Sequence, residues 1–133
     1  MRQLVIYGGV KQGRQVQALK SGIDILVATP GRLLDLIGQR FVDLRFVNMV
    51  VLDEADQMLD MGFIHDIKKI LNLIPDNRQS MLFSATMPEN IVALSKQFLN
   101  APEKIQIAPE EPTTDLIKQY VYCLLYTSPS PRD

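Results

Sequence analysis

A single cysteine and a single histidine in 133 residues leave few kinds of chemistry open. Cys123 has no partner for an internal disulfide, and neither it nor His65 sits in a pattern that would ligate zinc. Positive charge is not in excess either. Fourteen Lys and Arg stand against fifteen Asp and Glu, a formal net charge of -1, so any contact with nucleic acid must be local. No apolar run approaches the roughly 18 residues that a membrane span needs, and the N-terminus lacks a signal-peptide pattern. The cytoplasm is the expected compartment, with no membrane partner. The apolar fraction of 47% and charged fraction of 22% are ordinary for a soluble globular domain, or for a piece of one.

What is present is an alternation. Short β-branched runs, "LVIY" (4–7), "DILVA" (24–28), "MVVL" (49–52), "SMLF" (80–83) and "KIQI" (104–107), predict buried strands. Between them, 13–21, 31–38, 63–74 and 89–99 carry apolar residues at three- and four-residue spacing, which predicts helices. In the last of these Ile91, Leu94, Phe98 and Leu99 form one stripe, with Pro88 suited to the first turn. Strand and helix in turn predict an α/β domain whose parallel sheet is covered on both faces. Met58, Met61, Met81 and Met87 read as core filler.

The strand ends are loaded. Gly8-Gly9 follows the first strand, Thr29-Pro30-Gly31-Arg32 the second, Asp53-Glu54-Ala55-Asp56 the third and Ser84-Ala85-Thr86 the fourth. Ligands of open α/β sheets bind outside the carboxyl ends of the strands, so these loops are the candidate site. Each has a plainer explanation. Asp53 and Asp56 could open a helix, since acids cap well and suit the helix dipole. Alternatively Asp53 holds a magnesium ion on nucleotide phosphates while Glu54 acts on the attacking water as general base. "TPGR" reads as Thr at an N-cap and Pro at the first helical position. A helix N-terminus with Arg32 beside it is also a seat for phosphate. Gly8-Gly9 and "SAT" are, taken singly, common turns.

In this order and spacing, "GG", "ATPGR", "VLDEAD" and "FSAT" resemble the motifs of DEAD-box ATP-dependent RNA helicases. "DILVATPGRLLDLI" and "VVLDEADQMLDMGF" look particularly like the bacterial RhlE-type branch. The resemblance covers about residues 1 to 122 and implies a RecA-like parallel sheet flanked by helices. It implies ATP and Mg2+ as cofactors, with Asp53 on the metal and Glu54 activating water. Asp56 would hydrogen-bond toward Ser84 and Thr86, coupling nucleotide state to RNA grip. Gly8, Gly9, Thr29, Pro30, Gly31 and Arg32 would line the track of single-stranded or short duplex RNA, with little base reading and hence no sequence preference.

The chain departs from that family by omission. No GxxxxGKT-type loop occurs, nor the adenine-reading segment before it, nor a "PTRELA"-type motif. The sheet is therefore expected to be incomplete, with the phosphate-loop strand missing between the strand before Ser84 and the strand at 104–107. Residues 1–108 read as the back part of a first RecA-like domain and 109–115 as an interdomain linker. Residues 116–122 then begin a second domain. Such a piece is expected not to hydrolyse ATP by itself. The tail "CLLYTSPSPRD" (123–133) resembles no helicase and matches a reading frame of a transposase-based sequencing adapter. Two other functions compete: a non-catalytic RNA-binding module, and a metal-dependent nuclease, which would usually draw acids from several strands.

Overall fold

The computed structural model describes residues 1–107. The expected linker (109–115), the expected start of a second domain (116–122) and the expected adapter-derived tail (123–133) lie outside the described residues. Nine elements run in the order β1 (Gln3–Ile6), α1 (Gly13–Lys20), β2 (Ile25–Ala28), α2 (Pro30–Gly38), β3 (Met49–Leu52), α3 (Ala55–Asp60), α4 (Ile64–Leu71), β4 (Gln79–Leu82) and α5 (Glu89–Phe98). All belong to one compact unit, Met1–Pro102. Each strand and helix expected up to residue 99 is there, within a few residues at its ends. The helix α3 was present in the sequence only as the alternative explanation of its acids.

Both strand pairs are parallel. β1 pairs with β2 from Gln3 opposite Ile25 to Ile6 opposite Ala28. β3 pairs with β4 from Met49 opposite Gln79 to Leu52 opposite Leu82. These are two separate two-stranded sheets rather than one continuous sheet. Period-two geometry sends alternate side chains to opposite faces, and the helices of the described residues bury only one of them. Ile6 is fully buried, and Val50 packs on the cluster of Leu44, Ile70 and Ile74. On the other face Val5 is 56% exposed, Val27 55%, Met49 53% and Val51 48%. The expected sheet covered on both faces is thus present with one face covered incompletely among the described residues. The apolar runs are written for two covered faces, and among the described residues the second is covered only in part, at Met81 opposite Val51.

The rest of the core comes from the helix stripes. In α5, Ile91, Leu94 and Phe98 are buried as the spacing requires, with Leu99 half-buried. Ile67 of α4, Leu36 of α2 and Ala55 of α3 are almost wholly buried as well. Two methionines do not join them: Met61 is 69% exposed at the end of α3, and Met87 is 48% exposed in the loop before α5. Met61 stands at the C-cap, beyond the last residue of α3, so the helix does not carry it onto the half-buried face of Met58.

The strand expected at 104–107 is absent. The second unit begins at Glu103, and its described residues make no strand or helix. Ile105 and Ile107 are each 90% exposed. A strand exists only by bonding its N–H and C=O groups to a neighbour, and among the described residues none pairs with this segment.

Two-stranded sheets are marginal alone, and open edges with uncovered apolar faces invite aggregation. The chain alone is expected to be weakly stable and to aggregate as concentration rises. Urea titration followed by circular dichroism checks this. A cooperative transition worth about 5 kcal/mol or more, the low end for native domains, would contradict it.

Candidate active site at the strand ends

Parallel register sets the loaded loops level in pairs. Ile6 opposite Ala28 places Gly8-Gly9 beside Thr29–Arg32. Leu52 opposite Leu82 places Asp53–Asp56 beside Ser84–Thr86. The four loops thus fall into two sets, one on each sheet.

In the second set the backbone turns sharply at Glu54, which adopts the left-handed conformation (φ 50°, ψ 46°). That is uncommon for a residue with a side chain, and a cost that neighbouring bonds must offset. Two such bonds flank it. The Glu54 N–H donates to Asp53 Oδ1 at 2.9 Å, and the Ala55 N–H to the Phe83 carbonyl at 3.0 Å. Ala55, with no exposed surface, is the pivot; its small side chain lets the loop close on β4. Asp53 and Glu54 are left exposed on the rim, while Asp56 turns inward and is half-buried.

Asp56 joins the two loops. Its Oδ2 accepts the Thr86 N–H and the Thr86 hydroxyl, both at 2.9 Å. Its own N–H donates to Ser84 Oγ at 3.2 Å, and Ser84 Oγ donates to the Thr86 carbonyl at 2.7 Å. Oδ1 takes the Gln57 N–H at 3.1 Å. Hydrogen bonding, first from the Thr86 hydroxyl, holds the Asp56 carboxyl below its ordinary range. The helix-cap explanation fails for the first two acids: Glu54 stands at the N-cap of α3 with no side-chain cap bond, and Asp53 bonds back to the turn. It survives for Asp56, which lies in the first turn.

In the first set Thr29 is the N-cap of α2 with extended backbone (φ -81°, ψ 142°), Pro30 opens the helix, and the Thr29 side chain makes no cap bond. Gly9 has φ +79°, a conformation that costs glycine least. Arg32, expected to face phosphate, spends two of its N–H groups inside the protein. Nη1 donates to Gln15 Oε1 and Nη2 to the Val10 carbonyl, each at 3.0 Å. Gln15 did not figure among the candidates read from the sequence. Its signal was there: a polar residue in α1 on the same stripe as Ala18 and Leu19.

Among the described residues no group of three or more His, Cys, Asp or Glu side chains could cage a metal. No helix among them is long and apolar enough to cross a membrane.

Comparison with known proteins identifies the family of the chain. The DEAD/DEAH box helicase family matches residues 1–94. DEAD-box ATP-dependent RNA helicase CshA of Streptococcus pneumoniae (strain TIGR4) is 51% identical over 115 residues, which cover 86% of this chain and 22% of that protein. Its namesake in Bacillus subtilis (strain 168) is 50% identical over 117 residues, 88% of this chain and 24% of that one. The chain therefore spans about a quarter of these relatives. They are CshA proteins, which corrects the branch suggested by the RhlE-type resemblance. Among solved structures, a DEAD box protein from the hyperthermophile Methanococcus jannaschii superposes with a TM-score of 0.72 at 44% identity, covering 76% of this chain and 28% of that one. A hypothetical ATP-dependent RNA helicase from Sulfolobus tokodaii gives 0.71 at 45% identity, covering 77% and 30%. The fold is the α/β RecA-like fold of DEAD-box helicases, present in part, and the chain belongs to the DEAD/DEAH box helicase family.

Proposed function

We propose that the chain is part of the first RecA-like domain of a cytoplasmic, RNA-dependent ATPase that separates short RNA duplexes without sequence preference. One observation carries this reading. The Asp56 carboxylate ties the loop that presents Asp53 and Glu54 to the loop of Ser84 and Thr86, while the two other acids stay exposed on the rim. A loop built only to start a helix would not need this link.

Magnesium suits the residues present. It usually takes one or two protein carboxylates and completes its shell with water and substrate phosphates. Asp53 offers an exposed carboxylate, engaged among the described residues only at Oδ1 by the Glu54 N–H. When bound, the ion would neutralise charge on the phosphates of ATP. Glu54, held in its turn by the bonds on either side, orients a water and takes its proton as the water attacks. Asp56 passes the position of the rim acids on to the Ser84–Thr86 loop. The 133 residues hold no GxxxxGKT-type loop to cradle phosphates, so on this reading the chain by itself does not hydrolyse ATP.

Gly8–Gly9 and Thr29–Arg32 form the RNA track. Gly8→Glu tests it, because a Cβ on Gly8 meets nothing within 4 Å and the fold should accept the change. In the full-length helicase the added carboxylate should repel the phosphate backbone. RNA affinity should fall by about tenfold for every homopolymer alike, and more at low salt. Fluorescence anisotropy with labelled oligonucleotides reads it. A loss confined to one base would point to base reading, and no loss would remove the track from this rim.

A further inference from the structure

Gln15 is the one buried polar side chain among the described residues, 7% exposed, on the face of α1 that packs inward. A buried amide must have its donor and its acceptor satisfied, and this one uses both ends toward the same loop system. Nε2–H donates to the Tyr7 carbonyl at 3.2 Å, and Oε1 accepts from Arg32 Nη1 at 3.0 Å. The orientation follows from the partners: a carbonyl can only accept and a guanidinium can only donate.

The two contacts bracket Gly8-Gly9. Gln15 holds the carbonyl just before the glycines, at Tyr7, and Arg32 holds the carbonyl just after them, at Val10. Because Gln15 also holds Arg32, the β1 loop and the β2 loop are locked through one amide. A second pairing supports the same junction from the side. Gln12 and Gln39 exchange side-chain bonds at 3.0 and 3.2 Å, linking the residue before α1 to the residue after α2. Two adjacent glycines have more backbone freedom than any other pair, so a track that includes them needs an external brace.

Resting on the RNA-track reading above, we propose that Gln15 is a positioning residue for RNA. It sets Gly8-Gly9 against Thr29–Arg32 without touching RNA itself. Arg32 on this view serves the track from within, as the other half of the brace. Neither residue acts on the nucleotide, so the effect of losing Gln15 belongs on the KM for RNA.

Two substitutions in the full-length helicase test the proposal. Gln15→Met keeps the length of the side chain and removes both hydrogen bonds. The KM for RNA in RNA-stimulated ATP hydrolysis should rise by about tenfold, the scale of a lost buried hydrogen bond, with kcat at saturating RNA near the parent value. Gln15→Glu keeps the acceptor for Arg32 but sets a second acceptor against the Tyr7 carbonyl, so its KM for RNA should rise as well, by about threefold or more. Parent-like KM in Gln15→Met overturns the proposal. So does a parent-like KM in Gln15→Glu. A fall in kcat and melting temperature together, or loss of folded protein, would make Gln15 a merely structural residue and overturns it too. Gly8→Glu run in parallel separates the levels. If Gly8→Glu weakens RNA binding and Gln15→Met does not, the brace is wrong and the track stands. If neither does, the track itself is wrong.

Discussion

On the function proposed above, Glu54→Gln in the full-length protein is expected to lower ATP turnover by roughly the 10²–10⁴-fold that a general base contributes, while ATP still binds. Gln has the size and hydrogen-bonding reach of Glu but cannot accept the proton from water. The substitution leaves the turn alone, because Glu and Gln meet the left-handed conformation at φ 50° with the same backbone. Asp53→Asn should fail differently. The amide oxygen of Asn can still take the Glu54 N–H that Asp53 Oδ1 accepts, so the loop holds its shape. The charge that would hold magnesium is lost, and nucleotide affinity should fall along with turnover. Neither acid caps α3 with its side chain, so both variants should melt close to the parent. Steady-state rates and nucleotide affinities for the pair decide the roles. A Glu54→Gln protein that turns over ATP at the parent rate would show that Glu54 is no base.

The second large effect is expected at Asp56. Both of its carboxylate oxygens accept from N–H or O–H groups, Oδ1 from Gln57 and Oδ2 twice from Thr86. In Asp56→Asn the amide nitrogen must face one of those donors, so at least one charge-assisted bond is lost and two donors oppose each other. The stimulation of ATPase activity by RNA should fall by roughly 10- to 100-fold, with RNA and ATP each still bound when offered alone. Equal loss of both binding activities would argue for local unfolding instead. The pH dependence has a definite sign. The folded protein holds the Asp56 carboxyl below its ordinary value of 3.8, chiefly through the Thr86 hydroxyl. The link therefore stabilises the fold above the unfolded value and is lost as pH falls through the lower, folded one. Urea midpoints measured from neutral pH down past 3.8 should fall less steeply for Asp56→Ala than for the parent. Parallel curves would show that this carboxylate does not carry the acid loss.

Much of this protein was legible along the chain because it is local. The alternation of strand and helix follows from side-chain period, and the buried stripe of Ile91, Leu94 and Phe98 is spacing alone. Pro30 after Thr29 marks the start of α2 by its own φ preference. The loaded strand ends, with Asp53, Glu54 and Asp56 among them, are also a matter of order in sequence. Tertiary structure decided whatever depends on which segments meet. Nothing local says that β2 and β3 do not pair, or that residues 104–107 find no neighbour and form no strand. The reach from Asp56 to Thr86 crosses 30 residues and that from Gln15 to Arg32 crosses 17, distances that no periodicity records. Glu54 is a helix former by composition and a left-handed turn in place, because the Ala55 N–H must reach the Phe83 carbonyl. Local pattern sets what each segment can become, but a hydrogen bond needs two partners. Where the second lies far along the chain, only the fold supplies it.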